Sequence, residues 1–320
     1  MREYNYRALA EAPVPNWGWE LKDFRSQALR PVAERFLFNN IRISTFALMP
    51  AWIALEAARE QLWFDHASIK AGVALDPDLS NYDSPKITPE LRDEFNRLVF
   101  EHRGIDKEAT RSFLRKIGVT YVEYQLSWSD ATRSSIDALF HAIILDSWTA
   151  FECLSVDLWK LTLDNESGEL AKRIEMSGEL RRPHKDLKPQ DVRHNPKTEF
   201  GSYCLETRRL TLQTLEDIQR IYTATFQTQI GKLFNDVEGG YIHALAAFRN
   251  ALIHRAGEAD RKFTEDVQRF PEFRGISNGD KLLPDGEQVK KMRDASMFLG
   301  RQLIQVADSV LTPSDADDDS

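Results

Sequence analysis

Apolar residues recur every three or four positions along most of this chain, the spacing that places them on one face of an α-helix. Clusters of proline, glycine and polar residues separate these stretches. Residues 119–129 alone alternate apolar and polar side chains, which is typical of extended chain, and we interpret them as a connector. The pattern predicts an all-α protein with helices over residues 20–46, 51–64, 89–103, 106–117, 129–162, 207–234, 241–257 and 287–311.

The connector divides the chain into two predicted domains. Residues 1–128 form a helical N-terminal domain, which begins with a poorly structured stretch. Residues 129–312 form a four-helix domain whose first two helices are separated by a basic insertion at residues 164–200. Residues 313–320 are an acidic tail that we expect to be disordered.

A faint internal similarity links the two predicted domains. Residues 52–63 echo residues 148–159, and Arg97 and His102 have an R-x4-H spacing. A degenerate repeat over residues 52–103 would explain the similarity. Little room remains there for a second helix of the repeat, so we favour chance.

The helix predicted over residues 129–162 is apolar on two sides. Its main face consists of Ile136, Leu139, Phe140, Ile143, Phe151, Leu154, Leu158 and Leu161. A second stripe carries His141, Leu145, Trp148, Glu152, Ser155 and Trp159. A helix of this kind is covered on both sides. We expect one cover from its own domain and the other from a partner subunit or from the N-terminal half.

The helix predicted over residues 241–257 contains the most informative polar residues. Arg249 projects from the middle of its apolar face, where a buried guanidinium without a partner is very costly. Asn250 and His254 lie one turn apart on the neighbouring stripe. These three side chains are therefore candidates for a functional site.

Glu152 is the predicted partner of Arg249. It lies among large aromatic side chains on the second stripe of the first helix of the domain, where a solvated glutamate is unexpected. A carboxylate there could hold the guanidinium by a bidentate pair. The alternatives are that Glu152 points to water, or that Asp146 or Asp157 on the other flank of the helix takes its place.

The order R-N-x-x-x-H near the end of the third helix of a four-helix domain resembles the signature of the HEPN superfamily. These are small all-helical domains, and many are metal-independent ribonucleases of toxin and antiviral systems. The resemblance covers residues 130–312 and implies a homodimer in which two such helices face each other. It implies that His254 is the general base or acid, that Arg249 binds the phosphate, and that Asn250 orients the histidine or the RNA.

The net charge of −8 argues against a protein that coats nucleic acid. Residues 170–197 nevertheless contain eight Lys and Arg against four Asp and Glu, a local excess of +4. Candidates for contact with the RNA backbone, which is electrostatic and blind to sequence, are therefore Arg181, Arg182, Lys185 and, directly after the motif, Arg255. A solvated loop is the alternative.

Spacing argues against several other kinds of site. His184 and His194 have no cysteine at metal-ligand spacing and no H-E-x-x-H occurs, so we predict no metal. No phosphate-binding glycine loop of the Walker or dinucleotide kind occurs, and we predict no cofactor. Residues 275–279 fit G-x-S-x-G but follow no apolar strand, which disfavours a nucleophile elbow.

The expected compartment is the cytoplasm. No uninterrupted apolar run approaches the length of a membrane span, and the first 20 residues lack the order of a signal peptide. Cys153 and Cys204 are interpreted as reduced, buried thiols, with a single disulfide as the alternative.

These features together predict a metal-independent endoribonuclease of the toxin or antiviral-defence type. The resemblance implies cleavage of single-stranded or looped RNA by attack of the 2′-hydroxyl, a homodimer, and an antitoxin or sensor as a further partner. The alternative is a non-catalytic helical module for dimerisation or partner docking. In that case Arg249 is a buried ion-pair residue and His254 caps the helix C-terminus.

Overall fold

The computed structural model describes residues 4–11, 24–70, 118–120, 122–166, 168–179, 200–206, 210–226, 229–235 and 237–312. For residues 55–70, 229 and 237–239 it describes the backbone alone. Helix accounts for 78% of the described residues and no strand occurs among them, in agreement with the predicted all-α class. The predictions made for residues 71–117, including Arg97 and His102, and for residues 180–199 and 313–320 lie outside the described residues.

Contacts divide the chain into two compact units. Unit 1 comprises residues 1–11 and 45–136, and unit 2 comprises residues 12–44 and 137–320. In the described ranges the helices are α1 (Tyr6–Ala10), α2 (Arg30–Lys70), α3 (residues 118–128, with residue 121 not described), α4 (Asp130–Asn165), α5 (Glu169–Met176), α6 (Phe200–Glu206), α7 (Leu215–Phe226), α8 (Gln229–Leu233), α9 (Val237–His254), α10 (Arg261–Val267) and α11 (Gly286–Leu311), with a 3₁₀ turn at Pro271–Phe273.

Helix α2 replaces two predicted helices. It begins only at Arg30, because Pro31 fits the first turn, where a missing N–H breaks no hydrogen bond. Pro50, which was expected to start a separate helix, lies inside α2. Its neighbours Ala47 and Ala51 are buried, so packing outweighs the hydrogen bond lost at the proline.

The prediction of an extended connector over residues 119–129 is wrong, because these residues form helix α3. Val119, Val122 and Leu126 are buried at spacings of three and four, whereas Tyr124 and Trp128 are exposed. The buried residues therefore follow the period of a helix. The apparent alternation came from the two aromatic residues on the exposed side.

Unit 1 is held together by contacts among α1, α2 and α3. Helix α1 lies in a stretch predicted to be poorly structured, and the hydroxyl of Tyr6 donates to the carbonyl of Ala47 at 3.0 Å. Arg7 pairs with Glu123 at 2.7 Å. A Cβ at Gly118 would collide with the backbone carbonyl of Ala51, so α2 and α3 approach closely because this residue is glycine.

Other boundaries also differ from the predictions. The single helix predicted over residues 207–234 is divided into α7 and α8, and the loop predicted over residues 258–286 contains α10 and the 3₁₀ turn. The basic insertion begins with α5. These elements are short, and short helices are stabilised by packing rather than by propensity. In α10, for example, the buried residues are Phe263 and Val267.

Helix α4 is covered on both apolar sides within unit 2. On the second stripe, Trp159 Nε1 donates to Thr225 Oγ1 of α7 at 3.0 Å. On the main face, Leu154 lies against Gly300 of α11. At Trp159 the cover therefore comes from α7 of the same predicted domain. The N-terminal half also contacts α4, because Arg35 of α2 pairs with Asp157 at 2.5 Å.

Among the described helices, α4 is the one long and apolar enough to cross a membrane. Its most apolar window of 18 residues has a mean hydropathy of 1.3. Of its most apolar window, 56% is buried inside the protein. Phe140, Ile143, Phe151 and Leu158 are fully buried. These side chains of α4 are therefore part of the core.

Helix α9, which contains the R-N-x-x-x-H motif, packs against α10 and α11. The ring of Phe248 lies 5.0 Å from that of Phe263 and 5.2 Å from that of Phe273, centroid to centroid. Tilted and edge-on aromatic pairs of this kind are favourable beyond their buried area. The middle of the motif helix is therefore fixed in the core of unit 2.

Candidate functional site

The beginning of α9 is tied down by a polar cluster. Tyr241 donates to Glu272 Oε1 at 2.5 Å, and Lys291 Nζ donates to the same oxygen at 3.0 Å. Burial alone would raise the pKa of Glu272, but the hydrogen bonds from Tyr241 and Lys291 outweigh it and leave the pKa below its usual value. The ionised carboxylate therefore joins α9 to the 3₁₀ turn and to α11.

The end of α9 is closed by its own backbone. Ala256 and Gly257, which follow the helix, have φ values of 52° and 81°. The amide of Gly257 donates to the carbonyl of Ala251 at 3.1 Å, as expected where residues in the left-handed backbone conformation end an α-helix. The carbonyl of Gly257 accepts from the amide of Leu282 at 2.7 Å. The last turn, with His254, therefore has a defined position.

Arg249 is half-buried beside an aromatic ring. The carbon of its guanidinium lies 5.8 Å from the centroid of the Trp148 ring, within the range of a cation–π interaction. Nη1 donates to Asn250 Oδ1 at 3.0 Å. The Nε of Arg249 is buried and donates to no atom of the described residues. An aromatic face and a neutral amide therefore surround this cation.

Glu152 has a partner other than the predicted one. Its Oε2 accepts a hydrogen bond from Trp148 Nε1 at 2.9 Å. Within the described ranges no ion pair joins Glu152 to Arg249, so the predicted bidentate pair is absent there. The alternative partner Asp157 pairs instead with Arg35 at 2.5 Å.

Asn250 and His254 are both exposed near the end of α9. They are four residues apart and share one side of the helix. Arg249 precedes His254 by five residues, which corresponds to about 140° around the helix. One copy of α9 therefore does not direct the guanidinium and the imidazole at the same point. Asn250 lies between them, bonded to Arg249 and one turn before His254.

His243 lies on the stripe of Asn250 and His254 but differs in surroundings. It is half-buried, and its Nε2 lies 3.1 Å from the carbonyl oxygen of Phe234. Burial and then the charge of Arg269 lower the pKa of His243. This imidazole therefore favours its neutral form and contributes to packing.

The predicted RNA-binding residues divide into two groups. Arg255 is exposed, and its Nε lies 3.6 Å from Asp260 Oδ2. An exposed pair of this kind interacts weakly, so the guanidinium remains accessible to a phosphate. Arg181, Arg182 and Lys185 lie outside the described residues.

Among the described residues, neither a group of metal ligands nor the groove along α7 offers a site with suitable chemistry. In the part of the chain that the structure describes, no group of three or more His, Cys, Asp or Glu could hold a metal ion. A groove of about 470 Å³ lies along α7. Arg220 in this groove pairs with Glu179 and Asp217, and the lining contains neither a histidine nor a thiol. We therefore place the candidate site at the end of α9.

Trp148 is the site residue that sequence reasoning did not assign. The sequence placed it on the second stripe of α4, one turn before Glu152, as a residue to be covered. Its ring lies under Arg249, a residue about a hundred positions later in the chain. The i, i+4 spacing of Trp148 and Glu152 could have indicated their hydrogen bond, but not the contact with Arg249.

Comparison with family models, with curated proteins and with solved structures finds no match to this chain. The resemblance to the HEPN superfamily therefore depends on the residues of α9 and on the helical order around them. The functional evidence in this chain is the arrangement of Arg249, Asn250 and His254 at the end of α9.

Proposed function

We propose that this protein is a metal-independent endoribonuclease of the HEPN type. One observation supports this most: among the described residues no carboxylate pairs with Arg249, which lies next to Asn250 and five residues before the exposed His254. A structural arginine in a core is normally satisfied by an acid. An arginine held by an aromatic ring and an amide keeps its charge, and its Nη2 donors are left for phosphate oxygens.

The chemistry needs three services that these residues can provide. The 2′-hydroxyl loses a proton, the leaving 5′-oxygen gains one, and the negative charge on the phosphorane is stabilised. His254, whose imidazole nitrogens can accept and donate protons, serves a proton transfer. Arg249 stabilises the phosphorane charge, and Asn250 orients the imidazole or the RNA.

A homodimer completes the proposed site. Because Arg249 and His254 point about 140° apart on one helix, a second copy of α9 across the cleft lets the arginine of one subunit act with the histidine of the other. Accessible bases make single-stranded or looped RNA the substrate class. The products are a 2′,3′-cyclic phosphate and a 5′-hydroxyl.

The test compares the wild type with two histidine variants in a buffer containing EDTA. RNA is incubated with each, and cyclic-phosphate ends are measured. His254→Ala is expected to lower the rate at least about 100-fold, the usual contribution of an acid or base. His102→Ala is the matched control, since His102 has the same R-x4-H spacing outside α9. Equal cleavage by wild type and His254→Ala, or none by the wild type, would overturn the proposal.

The toxin or defence role has a cellular test. Expression of the wild type is expected to arrest growth, and His254→Ala is expected to relieve the arrest. An antitoxin or sensor would then be sought as the factor that prevents arrest by the wild type. Arrest that persists in the His254→Ala strain would remove the link between the role and the cleavage.

A helical interaction module is the second candidate. Ile253, 52% exposed between Asn250 and His254, is an apolar residue at the tip of the candidate site and suits a docking contact. This function predicts no RNA cleavage by the wild type and a change of oligomeric state or partner binding in Ile253→Asp. Metal-free cleavage that depends on His254 would reject it.

A further inference from the structure

We propose that Trp148 is a positioning residue, which holds the guanidinium of Arg249 ready for an RNA phosphate while Glu152 fixes the indole ring. This inference rests on the proposed function. It assigns to Glu152 a role opposite to that of a neutralising partner, because its carboxylate acts on the tryptophan and leaves the arginine charged.

The geometry of the three side chains supports this order of contacts. Trp148 is 2% exposed, and its ring is fixed at two points. Its Nε1 donates to Glu152 Oε2 at 2.9 Å, and its centroid lies 6.1 Å from that of Phe151. The guanidinium of Arg249 lies against this fixed ring at 5.8 Å. The ring therefore cannot turn away without breaking a hydrogen bond in the interior.

The chemistry of the contact explains why a ring suits this position better than an acid. The face of an indole ring has negative electrostatic potential and attracts a cation without accepting its N–H groups. A carboxylate would occupy two N–H donors and cancel the charge. Within the described residues Arg249 donates only to Asn250, so its Nη2 donors are available to a phosphate.

The hydrogen bond from Trp148 to Glu152 also affects the acid. Glu152 is half-buried, four residues after Trp148 on the same helix. With Oε2 engaged by the indole, the carboxylate is directed along α4 rather than at Arg249. Trp148 thus engages the Glu152 carboxylate, and the Arg249 guanidinium keeps its positive charge in the candidate site.

The first experiment measures RNA affinity against salt concentration in the His254→Ala background, where the substrate is not consumed. Arg249→Gln is expected to reduce the slope of log K against log salt by about 0.7, the loss of one phosphate contact on a single strand. Trp148→Leu is expected to reduce the slope by the same amount. Trp148→Leu added to Arg249→Gln is expected to change nothing further, because both act through one contact.

A second pair of variants covers the case in which Trp148→Leu does not fold. 5-Fluorotryptophan and 4,5,6,7-tetrafluorotryptophan at this position both keep the indole N–H that donates to Glu152, and the second withdraws much more electron density from the ring. If the ring acts through its electrostatic face, the monofluorinated protein keeps a salt slope close to that of the wild type and the tetrafluorinated protein shows the reduced slope. A purely structural role would leave both equal, since both rings fill the space similarly.

The outcomes separate this inference from the proposed function. If Arg249→Gln leaves the salt slope unchanged, the phosphate role of Arg249 and the inference both fail. If Arg249→Gln reduces the slope but Trp148→Leu lowers affinity equally with and without Arg249, or if the two ring variants behave alike, the inference alone is overturned. If the effects coincide as described, Trp148 acts through Arg249.

Discussion

Two arginines on helices that pack against each other, α9 and α11, are held in opposite ways. Arg293 of α11 is 2% exposed, and its Nε and Nη2 donate to Asp294 Oδ1 at 3.1 and 2.8 Å. Arg249 of α9 is half-buried and contacts the ring of Trp148 and the amide of Asn250. Arg293 is paired with an adjacent acid, whereas no acid pairs with Arg249 among the described residues.

The difference separates a structural cation from one with capacity left for a ligand. A guanidinium bound to a carboxylate is neutralised as a pair, and removal of the acid leaves an uncompensated buried charge. A guanidinium held by a ring and an amide keeps its charge. The sequence predicted a pair between Arg249 and Glu152, whereas the structure shows a pair of this kind at Arg293.

The largest expected effect concerns Arg249. Arg249→Gln is expected to lower the rate of metal-free RNA cleavage about 100-fold, the usual loss when one donor to a developing oxyanion is removed. Its midpoint of thermal unfolding should stay close to that of the wild type, since no acid is left unpaired. A variant that unfolds readily and cleaves normally would place Arg249 with Arg293 as a structural residue.

The second prediction removes the carboxylate near each arginine. Asp294→Ala is expected to lower the free energy of unfolding by about 2 kcal/mol, less than for a fully buried pair because Asp294 reaches solvent. Glu152→Gln should cost much less, because its amide oxygen can still accept from Trp148 Nε1. Urea denaturation measures both. Equal losses would show that Glu152 supports Arg249 as Asp294 supports Arg293.

The third prediction tests whether the packing around α11 is separate from the site. A Cβ at Gly300 would collide with the buried ring of Phe36 and lie 2.9 Å from Leu154 Cδ2. Gly300→Ala is expected to lower the free energy of unfolding by about 1–2 kcal/mol through overpacking. Cleavage well below the unfolding temperature should be unchanged. Gly275→Ala is the control, since a Cβ there meets no atom within 4 Å.

The smallest expected effect concerns pH and the two histidines of α9. Burial and then Arg269 lower the pKa of His243, although a hydrogen bond to Phe234 and the charge of Glu216 act the other way. The unfolded chain therefore binds a proton first as the pH falls below about 6.5. Stability is complete above that pH and is lost as the pH falls through the folded pKa.

Replacement of His243 makes this dependence measurable. His243→Gln is expected to flatten the decline of the unfolding midpoint between neutral and mildly acidic pH, relative to the wild type. His254→Ala, at an exposed position, should follow the wild type. An equal decline in wild type and His243→Gln would assign the acid sensitivity to another group.

Two elements show which parts of the secondary structure the spacing of apolar residues failed to predict. Residues 119–129 suggested an extended chain because Tyr124 and Trp128 were counted with the apolar residues. These two side chains are exposed, whereas Val119, Val122 and Leu126 are buried at helical spacing. Pro50 was expected to start a helix, but buried neighbours keep α2 continuous. In both cases packing against other helices decided the conformation, and the local order of apolar and polar residues does not show which residues pack.

The sequence by itself determined the helical class and the chemical identity of the candidate site, because apolar spacing and residue type are local properties of α9. It also indicated that Arg249 needs a partner. Only the tertiary structure decided which partner, since α4 and α9 are about a hundred residues apart and the rotation of one helix against the other selects which side chains meet. That rotation places the Trp148 ring, rather than the Glu152 carboxylate, against the guanidinium.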